Sequence, residues 1–247
     1  MILEDVVSDA EKEFEYELEV FRIEVNMATQ AFYSWLVAAK IFSNDKLPLY
    51  TKSESVCFLG TVRNALDVSF MLSLGRLFDK RKDCNFNLRT ISEIAKKNIN
   101  IFSKESLRSR KAKNGFHDDN YINKAYSPTN DDFVELDRQI DIYRKKYEKY
   151  NIIRNKVHAH REFSHKEPKF WNLFDETKIS ELEEIFAFLN QLDTNFFELY
   201  HNGRKFNLEP ATFSIYELIN KEKTNNNNTP LQQRVVYDAK KFFELLQ

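Results

Sequence analysis

NDDFVELDRQIDIYRKKYEKYNIIRNKVHAHRE, residues 130–162, decides how the rest of the chain is read. Its apolar and aromatic residues are Phe133, Leu136, Ile140, Tyr143, Tyr147, Tyr150, Ile153 and Val157, in steps of 3, 4, 3, 4, 3, 3 and 4. A helix advances 100° per residue, so steps of three and four return to one face, whereas a strand needs steps of two. The stretch therefore predicts a long helix with one buried stripe, capped at its start by Asn130-Asp131.

Working outward, the same periodicity recurs. Ser8 to about residue 42 runs without Gly or Pro, and Ser8 with Glu11 three residues on forms a capping-box pattern. Residues 53–78 carry Val62, Ala65, Leu66, Phe70, Leu74 and Leu77 at helical spacing. Gly60 and Gly75 lie inside that segment, where each costs roughly 1 kcal/mol relative to Ala, and close approach of another element is one reason to keep a glycine there. Shorter helices are predicted over 88–97 and 103–113, a polar connection over 114–130, and further helices over 178–200 and 231–246. RKFNLEPATFSIYE, residues 204–217, has room for a short extended piece, but no regular alternation supports a sheet. The expectation is an all-α chain whose long helices pack antiparallel in a bundle over residues 1–222. An Asn-rich connection over 223–230 and a terminal helix over 231–247 complete it.

Composition narrows the classes. Four glycines in 247 residues argue against Gly-rich phosphate loops and against β architectures with many turns. A net charge of −1 argues against a generally basic nucleic-acid coat but leaves room for a local basic site. Such a site is present in the pattern. Residues 138–169 hold ten Lys/Arg against four Asp/Glu, whereas residues 1–24 hold nine Asp/Glu against two Lys/Arg. Cys57 and Cys84 form no metal-ligand spacing, and the acidic start has no secretory pattern, which together predict a reduced, cytoplasmic chain. No run of about 18 apolar residues predicts a membrane span.

The end of the opening helix carries the candidate chemistry. With Phe133 at 0°, Arg154 falls at about 300°, inside the apolar stripe; His158 follows at about 340° and His160 at about 180°. A buried arginine needs a partner. Three structural readings are open: Arg154 pairs with a carboxylate on another helix, a histidine meets the helix C-terminal dipole, or His158, His160 and His165 bind a metal. The last has no supporting carboxylate or cysteine at ligand spacing. The functional reading is RNA cleavage. A histidine can take the proton of a ribose 2′-OH or give one to the 5′-oxygen near neutral pH. An arginine can hold the phosphate with its planar fork and stabilise charge on its oxygens, and the amide of Asn155 can position either group. This chemistry calls for no metal and no cofactor.

Arg154-Asn155-Lys156-Val157-His158-Ala159-His160-Arg161-Glu162 resembles the signature of HEPN domains, and its form resembles that of abortive-infection proteins of the AbiU type. DVSFMLSLGRLFDK, residues 67–80, resembles the helix of that group ending in Leu-x-Arg-Leu-x-Asp, and Asn87-Leu88-Arg89-Thr90-Ile91 resembles the segment that follows. The resemblance implies a HEPN-like helical bundle, active as a two-fold homodimer in which two Arg/His motifs build one composite site. It further implies a metal-independent endoribonuclease of an antiphage abortive-infection or toxin–antitoxin system, with RNA as substrate and an antitoxin or other defence protein as partner. The alternative is a HEPN-like module that binds RNA or protein without cutting. Residue by residue, Arg154 becomes the phosphate clamp, Asn155 the accompanying polar residue and His160 the acid/base. Lys156 and Arg161 become backbone contacts. His158 departs from the usual apolar filler, and helix geometry alone selects it over His160.

Overall fold

The computed structural model describes residues 8–42, 56–80, 87–155, 177–211, 213–220 and 229–244. Among these residues there is no strand, and the regular elements are helical. They are α1 (Asp9–Phe42), α2 (Val56–Leu77), α3 (Leu88–Lys97), α4 (Lys104–Lys113), α5 (Asp119–Lys124), α6 (Asn130–Ile153), α7 (Ile179–Asn202), α8 (Ile215–Asn220) and α9 (Leu231–Glu244), with a 3₁₀ turn at Ile99–Phe102 between α3 and α4. The all-α expectation holds. No helix of the described residues is long and apolar enough to cross a membrane.

Local chemistry explains the helix starts. Ser8 and Glu11 form the predicted capping box, each side chain reaching the other's backbone N–H at 3.2–3.3 Å. Asn87, Ser103 and Asp118 cap α3, α4 and α5 through their side-chain oxygens. The start of α6 differs from expectation. Thr129 precedes the helix, and its N–H and hydroxyl both donate to Asp132 Oδ2, at 2.8 and 2.9 Å. Asn130 and Asp131 are already inside the first turn, because the carboxylate that satisfies the free backbone end reaches back from Asp132. Two further corrections concern short elements. The connection over 114–130 contains α5, and residues 204–217 contain the first turn of α8 rather than an extended piece.

The chain divides into two compact units. The first comprises Met1–Ile23, Arg76–Lys146 and Phe188–Ala211. Phe14, Phe102, Phe133 and Phe196 are its buried centre, with Phe14 edge-on to Phe102 at 5.1 Å and to Phe196 at 6.1 Å. Arg110 ties its pieces together. Its Nη1 donates to Glu11 Oε1 at 2.6 Å and to the Ile101 carbonyl at 2.8 Å, and its Nη2 donates to the Tyr200 carbonyl at 2.9 Å. The Tyr200 hydroxyl in turn donates to Glu15 at 2.9 Å. Gly203 ends α7 with φ +59°, the left-handed conformation that a terminating residue needs, and its carbonyl accepts from the Tyr126 N–H at 2.7 Å.

The second unit comprises Glu24–Gly75, Tyr147–Ala187 and Thr212–Gln247. Its centre is Phe32, stacked on Phe186 at 4.3 Å and edge-on to Phe70 at 5.4 Å. Glu183 of α7 accepts from the Ile215 N–H at 2.9 Å, which satisfies the start of α8, and Lys240 of α9 donates to the Ile219 carbonyl at its end. Of the α6 stripe, Phe133, Leu136, Ile140, Tyr147, Tyr150 and Ile153 are all 3 % exposed or less, as the spacing required, whereas Tyr143 is only half-buried, stacked on Phe188, and Val157 lies outside the described residues.

Candidate functional site

The last turn of α6 is fixed before Arg154 is reached. Tyr150 is 1 % exposed, and its hydroxyl lies 2.9 Å from Glu181 Oε2 and 3.0 Å from the Lys178 carbonyl while accepting from the Lys178 N–H at 3.2 Å. Burial pushes the Tyr150 phenol above its ordinary range. Burial alone would also raise Glu181, but hydrogen bonds from Lys149 and Tyr150 outweigh it and hold that carboxyl below the usual range. The end of α6 is thus pinned to the start of α7 by a polar cluster with matched charges.

Arg154 and Asn155 follow directly and adopt π-helical conformation, a widening of the helix that recurs at functional sites. Arg154 is half-buried. Its Nη1 donates to Asn155 Oδ1 at 2.5 Å, and the Asn155 amide lies 3.5 Å from Asn151 Oδ1. Its Nε is buried and has no hydrogen-bond partner among the described residues. The guanidinium rests against α2 at Gly75. A Cβ built on that glycine would lie 2.2 Å from Nε and 2.7 Å from both Cζ and Nη2. Only a residue without a Cβ lets the head group lie there. Gly60, on the same helix, has nothing within 4 Å of such a Cβ.

Three other described cations of the basic run are different. Arg138 pairs with Glu135 at 2.6 Å, Arg144 with Asp141 at 2.5 Å, and Lys149 with Glu181. These are neutralised helix faces, worth little individually at the surface. Arg154 has no ion pair with an Asp or Glu among the described residues. Of the structural readings, pairing with a carboxylate on another helix is therefore not met there.

Lys156, His158, His160, Arg161 and His165 lie outside the described residues, so the structure brings together only Arg154 and Asn155 of the predicted set. The described histidines, His117 and His201, belong to the first unit. His201 packs on the rings of Phe197 and Tyr200, and burial lowers its pKa. Among the described residues no three His, Cys, Asp or Glu side chains form a grouping suited to a metal ion. Gly75 is the member of the site that sequence reasoning did not place. Its signal was its position inside Leu74-Gly75-Arg76-Leu77-Phe78-Asp79, the second motif of the chain.

The family model for AbiU2 (HEPN_AbiU2) matches residues 11–228. That range spans both motifs. No curated protein and no solved structure matches the chain.

Proposed function

The chain belongs to the AbiU2 family of HEPN proteins, and from that membership and the setting of Arg154 we propose that it is a metal-independent endoribonuclease of an abortive-infection or toxin–antitoxin system. The observation that carries the reading is a half-buried guanidinium held by Asn155 and seated on Gly75, with no carboxylate to neutralise it among the described residues. A positive charge with no carboxylate partner among the described residues is suited to an anionic ligand, and the planar fork matches a phosphate.

In this reading Arg154 holds the scissile phosphate and stabilises charge on its non-bridging oxygens. His160 moves the proton, with His158 as the alternative. The ribose 2′-oxygen loses its proton and attacks phosphorus, and the 5′-oxygen leaves with a proton. One strand then ends in a 2′,3′-cyclic phosphate and the other begins with a 5′-hydroxyl. Asn155 orients the arginine. Lys156 and Arg161 contact the RNA backbone. A second copy of the chain supplies the facing motif, and an antitoxin or other defence protein restrains the enzyme in the cytoplasm.

The test is incubation of purified protein with single-stranded RNA in EDTA, beside Arg154→Ala, His158→Ala and His160→Ala. Cutting that persists in chelator and disappears in Arg154→Ala and His160→Ala supports the proposal. Cutting that needs a divalent ion, or that survives both substitutions, sinks it. Retention of intact RNA would instead favour the binding module.

A further inference from the structure

We propose that Gly75 is the positioning residue for Arg154: it seats the guanidinium on α2 so that only the terminal Nη1–Nη2 end of the fork has donors to spare for a ligand. The inference rests on the reading of Arg154 as the phosphate clamp. Two contacts define the seat. The atoms nearest a Cβ at position 75 are Nε, Cζ and Nη2, all from Arg154, so the Nε–Nη2 side of the fork faces α2 at this glycine. The opposite nitrogen, Nη1, is held by Asn155 at 2.5 Å. Nε is buried without a partner among the described residues and lies against Gly75, so that donor is set against the helix rather than offered outward.

Relaxed carbon contacts lie at about 3.5–4.0 Å. At 2.2 Å from Nε, a methyl group at position 75 would drive the guanidinium back by more than an ångström. The displaced group is the far end of a flexible side chain, so the fold absorbs the change. The chemistry does not, because a misplacement of about 1 Å costs on the order of 10²-fold in rate. A structural glycine loses stability when replaced; a positioning glycine keeps stability and loses activity. Gly60 is the internal control on the same helix, with no atom to displace.

The experiment compares wild type, Gly75→Ala, Gly60→Ala and Arg154→Ala for RNA cleavage in EDTA and for melting temperature. A second measurement follows the Nε–H resonance of Arg154 by NMR, assigned with Arg154→Lys. Gly75→Ala is expected to lower kcat about 10²-fold with little change in KM and a retained melting temperature. Its Nε–H is expected to lose the solvent protection present in wild type and Gly60→Ala. If Arg154→Ala abolishes cleavage while Gly75→Ala cuts like wild type, the positioning role is wrong. If Arg154→Ala still cuts, or wild type does not, the proposed function fails instead, and the seat at Gly75 is judged by the Nε–H signal alone: unchanged protection in Gly75→Ala overturns it.

Discussion

A thermodynamic cycle between positions 75 and 154 tests the contact without reference to activity. Replacing a mid-helix glycine by alanine gains about 1 kcal/mol, because alanine loses less backbone freedom on folding. Gly60→Ala supplies the ruler: nothing lies within 4 Å of the added methyl, so the full gain of about 1 kcal/mol is expected. Gly75→Ala begins with the same gain, but its methyl would stand 2.2 Å from Arg154 Nε. The guanidinium must leave, and with it goes the hydrogen bond to Asn155 Oδ1, worth about 1 kcal/mol. The two effects cancel, and Gly75→Ala should be close to neutral in the wild-type background. In Arg154→Ala there is no head group to displace, so the same substitution should recover about 1 kcal/mol. The coupling between the two positions is then about 1 kcal/mol, within the range expected of residues in direct contact. Urea denaturation of the four proteins, with Gly60→Ala alongside, measures it. Equal effects of Gly75→Ala in both backgrounds, agreeing within about 0.3 kcal/mol, would refute the reasoning. Severe destabilisation in both backgrounds would show that some other group, not the guanidinium, fills the space.

Two predictions concern the first unit. Asp193 and Arg22 approach to 3.1 Å without an aligned hydrogen bond, and burial outweighs the arginine's charge, pushing Asp193 up to about 6. A raised carboxyl binds its proton more tightly in the folded state, so its contribution is fully present below about pH 4 and is lost as pH rises through about 6, by up to roughly 3 kcal/mol. Asp193→Asn should remove that decline. Parallel pH–stability curves for wild type and variant between pH 4 and 7 would contradict it. Gly203→Ala places a Cβ 2.6 Å from the Ala125 Cβ and 2.8 Å from Leu107 Cδ2, at a φ of +59° that alanine resists. A cost of about 2–4 kcal/mol is expected from overpacking and backbone strain together, read as a fall in melting temperature. An unchanged melting temperature would mean that α7 ends in some other way.

The long helices were legible because each buries enough side chains to show its period. The α6 stripe predicts burial at Tyr150 and Ile153 without any tertiary knowledge, and both are buried. The short elements were not legible. α5 is too brief for a period to emerge, and it is held from outside by the Tyr121 hydroxyl donating to the Asn202 carbonyl at 2.9 Å. α8 depends on Glu183 and Lys240, which lie far away in the sequence. The start of α6 was misplaced because Asn130, Asp131 and Asp132 are all chemically able to cap, and only the geometry at Thr129 selects among them. At the candidate site, the wheel put Arg154 inside the stripe and Asn155 off it, and both are half-buried. Its meeting with Gly75 joins two segments that no local rule connects. The π-helical turn at Arg154 also breaks the 100° step on which the wheel positions of His158 and His160 were built. The choice between those histidines therefore belongs to the substitution experiment.

The bond from Tyr200 to Glu15 joins residues 185 positions apart, and Phe14 meets Phe196 and Tyr200 in the same place. During synthesis, the first unit cannot close until α7 has been made. At about 5–20 residues per second, the acidic helix that opens the chain waits roughly ten to forty seconds for its partners. Until α7 emerges, Phe14 has at most Phe102 against it and lacks Phe196 and Tyr200. A nascent chain in that state exposes apolar surface that a chaperone at the ribosome can hold, and the first unit forms only once its last segment has been made rather than progressively along the chain.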